Sequence, residues 1–264
     1  MLKKPATSPI VAEMEDNMRK KLRYIASKLS SMHTAAIQGV SIVDAALSSD
    51  TFNTAFGGEI TEKTAKEVFS YYKKRSQPAS WWIGPSAEST WASGYLQSAG
   101  FVLDEVDVGM VCDLDQMKDF YKWPENFTIR RCKFSSDYAD FGFVIAEIFD
   151  PPDEKAKIFY SQVAKIDPDQ RKDMAFFVGY ENGYPVATSC AFFTSVAGIY
   201  DIATKKDKRN LGYGSAMLYR ALMESKKMGL KKSVLQASSN GLNLYKRFGY
   251  KKLCTFSVWN NQLA

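Results

Sequence analysis

Between residues 197 and 229 the chain reads as strand, basic loop and helix, and two glycines spaced by one residue, Gly212 and Gly214, stand where loop becomes helix. Met217, Leu218, Ala221, Leu222 and Met228 recur at helical spacing and stop at Gly229, while Ala197 to Ala203 reads as the strand. Such a junction is narrowly constrained. The first N–H groups of a helix have no partner inside it, and the positive end of the helix dipole lies behind them. Glycine omits the Cβ that would hold an anion away from those amides, and Arg209 adds a full charge beside them. The junction therefore suits phosphate. A dinucleotide fingerprint would need glycine where Met217 stands, and a nucleotide P-loop would need Gly-Lys-Ser/Thr after a longer spacing. Neither pattern is present.

The rest of the chain narrows the ligand. Its 264 residues, 45% apolar and 14% aromatic, describe a globular protein with one large or two modest domains. Four dispersed cysteines, with no C-x-x-C pair and a single histidine, His33, argue against a zinc site or a disulfide framework. No metal is expected, and reduced thiols fit a cytoplasmic protein. The basic start, Met1 to Pro5, leads into Glu13, Glu15 and Asp16 and makes a poor secretion signal. The longest uncharged stretch, Asn182 to Tyr200, is broken by Gly183 and Pro185 and reads as sheet, so no membrane association is expected. From Lys205 onward 13 Lys and Arg meet only Asp207 and Glu224, a segment charge of +11. Everything before sums to −5, with 16 acidic against 10 basic residues over 101–173. The basic residues flank the glycine turn and lack aromatics interleaved along one strand face, so a local polyphosphate explains them better than nucleic acid.

Helices are expected at residues 9–30, 61–74 (capped by Thr61, with Glu62 in the first turn), 87–99, 136–148 and 153–166. Strands are expected at 38–47, 80–86 (ending in a turn), 101–114 and 127–134. A hairpin pairs 174–179 with 185–193 across Glu181-Asn182-Gly183. Lys118 to Asn126, broken by Trp123-Pro124, reads as a linker between domains 1–120 and 121–264. Two blocks repeat weakly: Ser80 to Phe101 and Ser233 to Tyr250 each run strand, small-residue turn, helix, then Gly and an aromatic. The first copy has neither a tyrosine matching Tyr245 nor a glycine turn upstream, which predicts scaffold without chemistry.

The order of elements over 127–260, with Arg209-x-x-Gly212-x-Gly214 and Leu244-Tyr245-Lys246-Arg247-Phe248-Gly249-Tyr250, resembles the GNAT family of acyl-CoA-dependent N-acyltransferases. Together with Trp81-Trp82-Ile83-Gly84-Pro85 and Met110 to Leu114, the whole chain resembles tandem members in which a degenerate half precedes an active one. The resemblance implies an α+β fold, a mixed and mostly antiparallel sheet flanked by helices. It also implies acetyl-CoA as cosubstrate. Its pyrophosphate would rest on the amides of Asn210, Leu211, Gly212, Tyr213, Gly214 and Ser215 beside Arg209. Its pantetheine arm would pair with Ile202, Ala203 and Thr204 where two strands splay, as a peptide adds to a sheet edge. Ser238 falls where many members have an asparagine that contacts the arm, which puts that contact in doubt.

Acyl transfer needs a neutral amine to attack the thioester, a donor for the tetrahedral oxyanion and a proton for the departing thiolate. A tyrosine, with an ordinary pKa of about 10, is protonated at neutral pH, and Tyr245 is the candidate acid. A backbone N–H near Ile202 or Ala203 would meet the oxyanion. Asp201 is the carboxylate nearest the cofactor strand in sequence, with a water relay as the equal alternative, so the base stays open. Asp137, Asp140, Glu147, Asp150, Asp153 and Glu154, on the two helices expected to choose the substrate, would suit a cationic amine, small or peptidic. An acyl-CoA-binding protein without turnover is the alternative function. The acceptor and the oligomeric state are not legible.

Overall fold

A computed structural model describes residues 8–117 and 123–263. Met1 to Pro5 and residues 118–122 of the expected linker lie outside the described residues. The chain forms two compact units.

The first takes Met1–Gly109, Gln236–Ser239 and Lys252–Ala264. Its elements are α1 (Pro9–Ala26), β1 (His33–Ile37), β2 (Val40–Asp44), β3 (Thr54–Phe56), α2 (Glu62–Lys73), β4 (Ser80–Ile83), α3 (Ala92–Ala99) and the start of β5 (Val102–Asp113). The single strand expected over 38–47 is the second arm of a hairpin, because Gln38 and Gly39 both take positive φ (47° and 82°) and turn the chain back. Strands β2 and β3 are antiparallel and β3 and β4 parallel. Between them the core closes on Val68, Tyr72, Trp81, Leu96 and Phe101. Two of its buried aromatic side chains find backbone partners: Tyr72 donates to the Val43 carbonyl (2.9 Å) and the Trp81 indole to that of Gly57 (3.2 Å). Helix α3 starts later than the 87 expected, since Gly84-Pro85-Ser86 forms a turn held by Glu15 of α1. The Glu15 carboxylate accepts the Ser86 N–H (3.0 Å) and hydroxyl (2.9 Å).

The second unit takes Met110–Leu235 and Asn240–Lys251. Strands β6 (Phe127–Arg131), β7 (Met174–Glu181), β8 (Tyr184–Phe193) and β9 (Ala197–Thr204) form an antiparallel meander. Helices α4 (Ser135–Ala146) and α5 (Glu154–Val163) separate β6 from β7. After β9 come α6 (Tyr213–Lys227), β10 (Lys232–Ala237), parallel to β9, and α7 (Leu242–Arg247). Side chains of a strand alternate between faces, and β7 shows both faces covered. Phe176 packs on Tyr138, Phe141 and Tyr160 of α4 and α5, whereas its neighbour Phe177 lies under Arg220 of α6. The sheet is thus sandwiched between α4/α5 and α6.

The last strand, β11 (Lys251–Asn260), returns to the first unit, where Ser257 to Asn260 pair antiparallel with Ile83 to Ser80 of β4. Ala79 N–H donates to Asn261 Oδ1 (3.0 Å) just beyond that ladder. In element order β1-β2-β3-α2-β4-α3-β5 repeats β7-β8-β9-α6-β10-α7-β11. Among the described residues no helix is long and apolar enough to cross a membrane.

Asn53 is fully buried and ties three segments of the first unit. Its Oδ1 accepts from Ala45 N–H (2.8 Å), and its amide donates to the carbonyls of Leu47 (2.7 Å) and Pro78 (2.9 Å). Asn53→Ala is expected to destabilise the protein by about 2–4 kcal/mol, because it strands buried backbone groups. A lowered melting temperature checks this.

Candidate functional site

Helix α6 starts bare. The chain leaves β9 at Thr204, passes a 3-10 turn at Lys206–Lys208, runs extended at Arg209, and crosses two left-handed residues, Asn210 (φ 64°) and Gly212 (φ 90°). The helix has no side-chain cap and no acidic residue in its first turn. Its first backbone bond is donated by Ala216 to the Gly212 carbonyl (3.1 Å), so the amides before Ala216 face the turn. A Cβ on Gly214 would sit 3.6 Å from Thr204 Oγ1 and from Leu244 Cδ2, which brings the end of β9, the opening of α6 and the face of α7 to one place. Arg209, exposed, donates to the Thr204 carbonyl (3.4 Å). Asn210 and Leu211 are exposed.

Tyr213 has a different task. Its ring is buried and stacked on Phe127 (centroids 4.5 Å, planes 19° apart), and its hydroxyl donates to Glu181, which Lys208 also grips (2.5 Å). Burial and the Glu181 carboxylate push the phenol up to about 12, while hydrogen bonds from Lys208 and Tyr213 hold Glu181 below the usual carboxylate range. The side chain bolts the turn to the sheet.

The ladder between β9 and β10 has two positions, Ser233 with Ala197 and Val234 with Gly198, although β9 runs on to Thr204. Ile202, Ala203 and Thr204 thus belong to the part of β9 that β10 leaves. On the other side Ala203 pairs with Thr188 and Thr204 with Ala187. Pairing resumes at Tyr200 with Cys190, so Asp201 and Ile202 together face Ser189 in a β-bulge, with Asp201 at φ 52°. The bulge aims Asp201 toward α5, where it accepts from the Tyr160 hydroxyl (3.2 Å). Burial, then the Asp201 charge, pushes that phenol well above its usual value, so it stays a donor.

Helix α7 carries Tyr245, half-buried, its ring edge-on to Tyr250 (5.9 Å). Leu244 and Arg247, three apart and so on one face, turn toward α6. Arg247 donates to Ser215 Oγ (3.2 Å) and meets no carboxylate among the described residues. Sequence reasoning left Arg247 out of the site. It stands two residues after Tyr245, but nothing local says that it folds back on Ser215. Pro124, placed in the expected linker, was also missed: its Cγ lies 3.4 Å from where a Cβ of Gly212 would be. Ser238 belongs to the first unit, and the other residues just described belong to the second.

In the first unit the helix in the matching place is closed. Thr61 caps α2, accepting from Thr64 N–H (3.1 Å), and Glu62 puts a carboxylate in its first turn. A glycine pair does precede it, contrary to expectation, with Gly57 and Gly58 at φ 64° and 81°. Gly58 serves packing, since a Cβ there would lie 2.4 Å from Val40 Cγ2. The six carboxylates on and beside α4 and α5 are engaged already. Asp137 and Asp153 accept backbone N–H groups, Asp140 accepts from Tyr180 (2.8 Å), and Glu147, Asp150 and Glu154 pair with Lys205, Lys206 and Lys157. Their charge is therefore largely answered within the fold and lends no support to a cationic acceptor.

A family model described as the acetyltransferase (GNAT) family matches residues 117–250, just over half of the chain. The chain belongs to the GNAT family. It is an acyltransferase, and the family uses acetyl-CoA. Solved GNAT proteins share its fold. A GCN5-related N-acetyltransferase from Kribbella flavida matches over 97% of both chains (TM-score 0.71, 12% identity). One from Sphaerobacter thermophilus matches over 84% of this chain and 80% of its own (TM-score 0.60, 18% identity). A tandem GNAT protein from the clavulanic acid biosynthesis pathway matches over 97% and 96% (TM-score 0.57, 8% identity). At such identities the likeness is one of fold. No curated protein matches the sequence significantly.

The two glycines of the GNAT turn should respond differently to a methyl group. Gly212→Ala places an L side chain at φ 90° and is expected to cost about 1–2 kcal/mol. Gly214→Ala meets only ordinary contacts inside a helix and should leave stability within about 0.5 kcal/mol or raise it. Thermal melts of the two variants check the contrast.

Proposed function

We propose that this GNAT protein is an N-acetyltransferase that moves an acetyl group from acetyl-CoA to a primary amine, on a small molecule or a peptide, by direct attack through a tetrahedral intermediate. The observation that carries the reading is the bare start of α6, free of cap and carboxylate, with Arg209 and Arg247 beside it. Bound acetyl-CoA supplies an activated thioester. In this reading the amides of Asn210 to Ser215 hold its pyrophosphate with Arg209, and the edge of β9 at Ile202, Ala203 and Thr204 pairs with its arm. The bare helix start, without a cap or a first-turn carboxylate, fits a polyphosphate.

The amine attacks as the neutral base, and the bulge offers a carboxylate to take its proton. Asp201 is half-buried and already accepts one hydrogen bond from Tyr160. A backbone N–H near Ile202 or Ala203 meets the oxyanion, and Tyr245 returns a proton to the thiolate. The domains are proposed as 1–120 and 121–264, with the cofactor in the second.

Calorimetric titration with acetyl-CoA and with duplex DNA tests the class of ligand. Heat with acetyl-CoA and none with DNA is expected, and silence with millimolar acetyl-CoA would sink the reading. Binding without thiol release across an amine library would instead favour a sensor of acyl-CoA.

Tyr245→Phe and Asp201→Asn are expected to lower kcat by roughly 10- to 1,000-fold, with the Kd for acetyl-CoA nearly unchanged. Unaltered kcat in either variant removes that residue from its role.

A further inference from the structure

Asp201 lies in the left-handed region, at φ 52°, in the bulge opposite Ser189. A residue with a Cβ is uncommon there, and such a conformation persists only where its surroundings hold it. Two buried hydroxyl groups hold Asp201, one by its backbone and one by its side chain. Thr188, fully buried at the ladder pair that flanks the bulge, donates from Oγ1 to the Asp201 carbonyl (2.8 Å). Tyr160, 3% exposed, donates to the Asp201 carboxylate (3.2 Å). Both donors are themselves anchored. The Tyr160 ring packs on Phe141 (centroids 4.5 Å) and Phe176 (6.2 Å). Next to Thr188, the Ser189 hydroxyl donates to the Met217 carbonyl of α6 (3.1 Å) and ties this part of β8 down.

On the reading that the bulge is where the amine loses its proton and the oxyanion meets an N–H, we propose that Thr188 and Tyr160 are positioning residues for acetyl transfer. Thr188 aims the oxyanion donor, and Tyr160 aims the carboxylate. The Asp201 carbonyl and the Ile202 N–H belong to one planar trans peptide, so they point in opposite directions. Thr188 draws that carbonyl toward β8, which turns the Ile202 N–H away from β8. Strand β9 lies between β8 and β10, so this N–H faces the side that β10 leaves, where the cofactor arm is proposed to lie. Of the two amides offered above for the oxyanion, the lock selects that of Ile202. Preorganised donors act because they need no rearrangement as charge develops, and a buried hydroxyl that fixes a peptide plane supplies that order.

Steady-state kinetics and amide resonances on the full chain test the lock. Thr188→Val removes the hydroxyl and keeps the branched shape. It is expected to lower kcat by about 10- to 100-fold with the Kd for acetyl-CoA nearly unchanged, and to move the Ile202 amide resonance. Thr188→Ser should restore both. Tyr160→Phe is expected to lower kcat by about tenfold and to add nothing to the loss in Asp201→Asn, whereas Thr188→Val adds a loss of its own. Unaltered kcat or an unmoved Ile202 resonance in Thr188→Val, or no recovery in Thr188→Ser, overturns the role of Thr188. Losses that add between Tyr160→Phe and Asp201→Asn overturn that of Tyr160. Full kcat in Asp201→Asn removes the base, and Tyr160 with it, while the Thr188→Val loss is still expected through the oxyanion. An unaltered chain without turnover sinks acetyl transfer itself, and the Ile202 resonance then decides alone whether Thr188 holds the bulge.

Discussion

The unfilled N-terminus of α6 is the constraint on which the rest of the candidate site depends. A helix that begins without a cap leaves several amides and a partial positive charge unanswered, a cost that most helices remove with one Ser, Thr or Asp. Here the chain keeps that cost and stabilises the turn from behind. Tyr213 is stacked on Phe127 and bonded to Glu181, Lys208 closes on the same carboxylate, and Pro124 packs beside Gly212. In the first unit α2 has Thr61 and Glu62 in that place, and the same scaffold is left with nothing for an anion to hold.

Much of this was legible in the chain because it is written in local patterns. The Arg209 to Gly214 turn, the helix after it, the Asn182-Gly183 hairpin and the Thr61 cap each depend on residues within a few positions, and each forms as expected. The Gln38-Gly39 hairpin was missed because Gln is a weak marker of a left-handed turn residue, so two strands read as one. The helix expected from 87 was shortened by a long-range partner, Glu15, which stabilises a turn where propensity alone allowed helix.

What sequence could not supply was pairing at a distance. Arg247 reaches Ser215 across 32 residues, and Tyr160 reaches Asp201 across 41. The carboxylates near α4 and α5 looked like a surface for cations until Lys205, Lys206 and Lys157 were found against three of them. A charge count records ionisable groups but not whether each is already answered. For Asp201 the decisive feature is the bulge, an extra residue that leaves little trace in composition or spacing.

The pairing of β11 with β4 also bears on how the chain is made. Ala79 meets Asn261 across 182 residues, so the first unit has to wait for nearly the whole polypeptide before its sheet can close. Until the ribosome has delivered that strand, one edge of β4 stays open during synthesis, and open edges are where nascent chains aggregate. Speed of translation through the second half thereby becomes a determinant of yield for the first.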